Sequence, residues 1–160
     1  MLNDIEVLPA PDDEYWMAKA YKIPSAPGAN VAPGTKNFPS VPINRMIPRS
    51  WVTNLPEGQR IPFSPVVPLG GIAMGGDTGV KQVDVSWDDG RTWRPTTLGP
   101  DHGKYSFRRW DVQMPVTNRG PTAVMSRCTN SAGITQPMRP IWNPGGFMRG
   151  NIETTNIVIG

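Results

Sequence analysis

Val80-Lys81-Gln82-Val83-Asp84-Val85-Ser86-Trp87-Asp88-Asp89-Gly90-Arg91-Thr92-Trp93 reads as a strand running into a tight reversal. Val83, Val85 and Trp87 alternate with Gln82, Asp84 and Ser86, the period of two that a strand shows when one of its faces is buried. Asp89-Gly90 then supplies the residues a primed turn demands, because its central positions need positive φ and glycine meets that without a Cβ clash. Trp87 and Trp93 flank this single reversal.

Working outward, the same period recurs. Over 106–114, Trp110, Val112 and Met114 share a face opposite Arg109, Asp111 and Gln113, and over 122–129 Val124, Ser126 and Cys128 alternate with Ala123, Met125 and Arg127. Weaker strand signals fall at 43–47, 66–73 and 156–159. Six or seven short strands punctuated by Pro/Gly turns, with no helix between them, predict an all-β fold: a sandwich of two antiparallel sheets. The 17 glycines and 19 prolines of the 160 residues argue against a helical bundle, whose helix interiors tolerate neither. No internal repeat is present.

Upstream, the segment 24–42 is so rich in proline and glycine that it reads as an extended connector able to hold neither ladder nor helix. Before it, the run 12–21 opens with Asp12, Asp13 and Glu14 and continues in good helix formers, which predicts a short helix. The net charge of +3, without a dense basic run, makes nucleic acid an unfavoured partner. No stretch approaches the roughly 18 apolar residues of a bilayer span, and no targeting signal stands at the start.

Few groups offer chemistry. Cys128 is the only cysteine and His102 the only histidine, which excludes an internal disulfide and a Cys/His zinc cluster built within the chain. His102 sits among turn formers and reads as an exposed loop residue, and Cys128, inside a strand, as an inert core residue. Gly70-Gly71 and Gly75-Gly76 lack the spacing of a phosphate loop and read as turns. The scattered Arg45, Arg49, Arg108, Arg109, Arg119, Arg127, Arg139 and Arg149 suit either ordinary surface charge with some ion pairs or a convergent anion site.

Three segments taken in order nevertheless resemble the C-terminal dimerisation domain of the sulfite oxidase family of molybdenum enzymes. They are 83–93 (the pattern VDVSxDGGxTW), 126–137 (a strand leading into xNVQP) and 141–148, with Trp142-Asn143 in a WNxxG pattern. Each is weak alone and the ordered set is specific; together they cover about 41–160. The resemblance implies an immunoglobulin-like (E-set) antiparallel β-sandwich over 43–160. The connector 24–42 precedes it, and 1–23 corresponds to the end of the molybdopterin-binding domain, a strand and a short helix.

By that resemblance Tyr21, in Ala20-Tyr21-Lys22, is the tyrosine that reaches the substrate pocket; Ala20 replaces the acidic residue of the animal enzymes. Gly145 stands where animal and plant members place a substrate-binding arginine, and that role is not carried over to Arg149. The parent would oxidise sulfite to sulfate by oxygen-atom transfer at molybdenum, pass electrons to a haem protein of the cytochrome c type, work as a homodimer and reside in the periplasm. The cysteine that ligates molybdenum lies in the N-terminal molybdopterin domain, so no cofactor or metal ligand is expected in this chain, which by itself is expected to be inactive. Two other readings stay open: a stand-alone immunoglobulin-like binding module without a redox role, and a split enzyme reconstituted with a separate cofactor domain.

Overall fold

In the computed structural model, which describes residues 2–160, the chain divides into two compact units, 1–44 with 141–149, and 45–140 with 150–160. The larger unit is the predicted sandwich. One sheet has five strands in the order β4 (Arg60–Ile61), β11 (Glu153–Ile159), β10 (Gly120–Asn130), β6 (Val80–Ser86) and β7 (Arg94–Pro95). The other has four, β3 (Arg49–Val52), β5 (Val66–Met74), β9 (Arg108–Pro115) and β8 (Thr97–Leu98). Neighbours are antiparallel except β4, which runs parallel to β11.

The core lies between the two sheets and is built from the inward side chains of alternating strands. Val83 and Val85 of β6 and Val124 and Cys128 of β10 meet Leu69 and Ala73 of β5 and Trp110 and Met114 of β9. Such β-branched and aromatic residues pack well on pleated surfaces.

From Val83 to Ser86 the strand carrying the deciding motif is buried on both faces rather than one, while Lys81 and Gln82 stay exposed. Asp84 is only 5% exposed and Ser86 is fully buried. The outer face is covered because Arg127 Nε donates to Asp84 at 3.2 Å while its guanidinium lies 4.1 Å over the Trp93 ring. The reversal after it is primed as expected: Asp89 (φ 58°) and Gly90 (φ 76°) are both left-handed, and the Arg91 N–H donates to Asp88 O at 3.3 Å. It is wider than a two-residue hairpin, since pairing resumes only at Arg94 opposite Val85. Side chains fill the gap. Ser86 Oγ accepts from the Gly90 N–H and donates to Asp88, whose carboxylate also accepts both the N–H and the hydroxyl of Thr92.

Several expectations are corrected. No strand forms over 43–47: the Met46 N–H donates to the Asp77 carboxylate and Met46 O accepts from the Asp77 N–H, so this backbone is tied to a turn. Strand structure begins instead at Arg49, just past Pro48, which has no N–H to give a ladder. Gly70 and Gly71 are not a turn but the middle of β5, whereas Gly76 does turn (φ 78°). A Cβ on Gly71 would lie 2.0 Å from the Trp51 carbonyl oxygen and 2.3 Å from the Trp110 ring, so only glycine lets strand and indole approach there.

Two more concern the smaller unit, where the ends of the proline-rich connector do hold a ladder, β1 (Lys22–Pro24) against β2 (Ser40–Pro42). The bonds flanking it run from the Ile43 N–H to Tyr21 O and from the Ser25 N–H to Pro39 O, both 2.9 Å. With Lys22 opposite Pro42 and Pro24 opposite Ser40, Pro24 and Pro42 fall on alternate, non-bonding positions and Pro39 only accepts. Proline is harmless where no N–H is required. The predicted helix shrinks to one π turn, Trp16–Ala20, closed by the Tyr21 N–H to Trp16 O at 2.7 Å.

Candidate functional site

Tyr21 ends the π turn, with its N–H bonded to Trp16 O and its carbonyl to the Ile43 N–H. These two bonds fix its backbone, and the residue is 43% exposed. The ring stacks on Trp16 (centroids 5.6 Å) and tilts against Phe147 at the same distance, and Tyr15 meets Trp16 edge-on at 5.3 Å, giving a run of four aromatic rings. π turns cluster at functional sites because the widened turn re-aims the side chains after it.

Beside this run is a cleft of about 340 Å³ whose lining includes Lys19, Lys22, Ser40, Gly145 and Phe147. Two lysines are among its lining residues and no Asp or Glu is, so its charge favours an anion. The signal for the lysines was present in the sequence, three residues apart around Tyr21, and the sequence reading passed over it. Gly145, at the arginine position of the resemblance, has its side-chain space taken: a Cβ there would lie 2.6 Å from the Phe147 ring. Arginine at 145 and the present Phe147 cannot coexist without movement of the ring.

The segment bearing Gly145 and Phe147 is shaped by Asn143, which is buried. Its Oδ1 accepts from the Phe147 N–H at 3.1 Å and its Nδ2 donates to Phe147 O at 2.8 Å and to Ala29 O at 3.4 Å. In the larger unit Gln136 acts likewise, accepting from the Cys128 N–H at 2.9 Å and donating to the carbonyls of Gly150 and Asn151. Two of the residues that carried the resemblance are thus amide clamps that join chain segments distant in sequence, as buried polar groups must be paired.

The other candidates do not converge. His102 is exposed on its loop. Cys128 is completely buried in β10, and burial pushes its thiol up to about 12, so it stays protonated and cannot serve as a thiolate ligand. Three of the arginines are paired, Arg49 with Glu153, Arg108 with Asp101 and Arg127 with Asp84, which is surface and strand pairing rather than a common anion site. Among the described residues no group of three His, Cys, Asp or Glu could hold a metal, and none of the described helices is long and apolar enough to cross a membrane. The donors present do not fit a molybdenum centre, which needs a thiolate.

Comparison with known proteins gives this geometry a family. The model of the Mo-co oxidoreductase dimerisation domain matches residues 41–154. Mitochondrial sulfite oxidase of Macaca fascicularis is 27% identical over 155 residues, which are 92% of this chain and 28% of that protein. Sulfite oxidase of Gallus gallus is 28% identical over 121 residues, 71% of this chain and 26% of that protein, and an inducible NADH nitrate reductase of Glycine max is 33% identical over 68% of this chain and 11% of its own length. The chain therefore spans little more than a quarter of the sulfite oxidases it matches. The sulfane dehydrogenase SoxCD of Paracoccus pantotrophus shares the fold with a TM-score of 0.63 at 17% identity, over 92% of this chain and 39% of that one. With the family match covering most of its length and its sheets, clamps and motifs in one order, this chain belongs to the Mo-co oxidoreductase dimerisation domain family.

Proposed function

We propose that this chain is the protomer-pairing portion of a longer molybdenum-dependent oxidoreductase of the sulfite oxidase type. The observation that carries this reading is the family match over 41–154 in a chain that spans only 28% of its macaque relative. In this reading 43–160 is an immunoglobulin-like (E-set) pairing domain, 24–42 a connector and 1–23 the end of the cofactor domain. The parent binds molybdopterin-molybdenum upstream, oxidises sulfite to sulfate, and hands electrons to a haem protein of the cytochrome c type in the periplasm.

This chain's own contribution is positional. Two copies join through the sandwich, and the smaller unit offers the hydroxyl of Tyr21, with the charge of Lys19 and Lys22 nearby, to an anionic substrate. The exposed Tyr21 and the carboxylate-free cleft support that role. No step at the metal is assigned to these residues. Light scattering of the purified 160-residue chain is expected to give a dimer, with neither bound molybdenum by mass spectrometry nor sulfite-dependent reduction of an acceptor. Stoichiometric molybdenum, or a folded sample that stays monomeric at high concentration, would contradict the proposal.

A further inference from the structure

The cleft beside Lys19 and Lys22 is charged at one end and apolar along its length. On the β1–β2 ladder Lys22 stands opposite Pro42 and Pro24 opposite Ser40, so Lys22, Pro24 and Ser40 share one face, with Ile23 and Val41 on the other. That first face is the floor of the cleft. Because the strands are antiparallel, Phe38, two residues before Ser40 and also in the lining, lies beyond Pro24 at the end away from Lys22. Four residue steps of about 3.3 Å put the two ends roughly 13 Å apart. Lys19, in the π turn three residues before Lys22, adds a second charge, and neither lysine is in an ion pair among the described residues.

The side wall is Phe147, which is held in place. Asn143 bonds both its N–H and its carbonyl, its ring leans on Tyr21, and Met148 after it is left-handed (φ 56°). A residue with a side chain keeps that conformation only where its surroundings over-determine it. At about 340 Å³ the cleft falls in the range of small-molecule sites, about 300–1,000 Å³. A bare oxyanion at the lysines would leave the floor toward Phe38 empty.

We infer that this cleft binds an organic anion larger than sulfite, with a compact oxyanion head at Lys19 and Lys22 and a flat apolar body lying over Pro24 between Phe147 and Phe38. The inference rests on the reading above that the smaller unit meets an anion, and it adds the class of anion. Lysines supply point charges without the planar fork of an arginine, so they hold a head group without dictating its shape. Discrimination then falls to the apolar walls, where a buried ring gains affinity that a bare oxyanion cannot. Phe147 fills the space a side chain at 145 would need, so the wall there stays uncharged.

The test titrates the 160-residue chain with three probes, followed by amide shifts in NMR: sulfate, which is head alone, toluenesulfonate, which is head and body, and toluenesulfonamide, which is body alone. Toluenesulfonate is expected to bind about tenfold tighter than sulfate or better, with its largest shifts at 19–22, 38–40 and 145–147. Lys19→Gln combined with Lys22→Gln should weaken toluenesulfonate about tenfold and leave the sulfonamide unchanged. Phe38→Ala should bring toluenesulfonate down toward sulfate and leave sulfate as it was, with circular dichroism to show that both variants are folded. Toluenesulfonate no tighter than sulfate, or tighter with its shifts outside these segments, would overturn this class of anion; if the lysine changes still weaken sulfate, the anion reading stands. Binding of neither anion at millimolar concentration, or lysine variants that bind both as the wild type does, would overturn both.

Discussion

Gly71→Ala is the sharpest probe of the sandwich. The added methyl would sit 2.0 Å from the Trp51 carbonyl oxygen and 2.3 and 2.5 Å from two atoms of the Trp110 ring. Comfortable contacts of carbon are about 3.5 Å, so β3 or the indole must move by more than 1 Å. Neither can yield easily: β3 is held by its register with β5, and Trp110 is among the most buried side chains. Overpacking costs about 1–3 kcal/mol, and with backbone on one side and a locked ring on the other the upper end applies, about 3 kcal/mol.

For a chain of this size that is roughly 6–12 °C in melting temperature. The control is the adjacent residue. Gly70→Ala meets only ordinary contacts at 3.8 Å, and is expected within about 1 kcal/mol of wild type, since the lost unfolded-state freedom offsets small packing changes. Calorimetry at one fixed protein concentration compares the two. If Gly71→Ala melts within about 2 °C of Gly70→Ala, the close approach of β3, β5 and Trp110 is wrong.

Cys128 should resist alkylation in the folded chain at pH 8 and react fully in denaturant. Because its folded pKa lies above its unfolded value, its stabilising contribution is complete below about pH 9 and fades as the pH rises toward about 12, so Cys128→Ser should flatten the alkaline limb of a urea-stability profile. Asp88 behaves oppositely. The Thr92 hydroxyl and N–H, with Ser86, hold its carboxyl down at about 2, so its stabilisation is present above pH 4 and is lost as the pH falls toward 2. Asp88→Asn should remove that acid-limb dependence, and an unchanged slope between pH 4 and 2 would count against the turn network. Asn143→Ala leaves the Phe147 N–H without its partner, at a cost of about 1–3 kcal/mol; hydrogen exchange should accelerate at the amide of Phe147 while those of β10 stay protected. In the parent enzyme proposed above, Tyr21→Phe is expected to lower kcat/KM for the proposed anionic substrate and leave the oligomeric state unchanged.

The strands that sequence located well are those whose alternation is set by burial between two sheets. In β9 and β10, Trp110, Met114, Val124 and Cys128 were identified by period alone and lie in the core. Gly70-Gly71 misled because a glycine pair is also what a turn uses; the need for glycine comes from Trp51 and Trp110, which are far away in sequence. The connector misled for the converse reason, since proline forbids a ladder only at the positions that donate, and which positions donate depends on the partner strand's register. His102 and Cys128 behaved as their neighbours implied, because exposure of a loop and burial of a strand face are local consequences of pattern.

Sequence by itself determined the all-β class, the primed turn at Asp89-Gly90 and the family, because period, turn chemistry and motif order are properties of the chain read in one dimension. Tertiary structure alone decided that Asn143 and Gln136 are clamps, that Phe147 occupies the space beside Gly145, and that Lys22, Pro24 and Ser40 share one face. Those depend on which distant segments come within bonding distance and in what register, and each is fixed only when the strands pair.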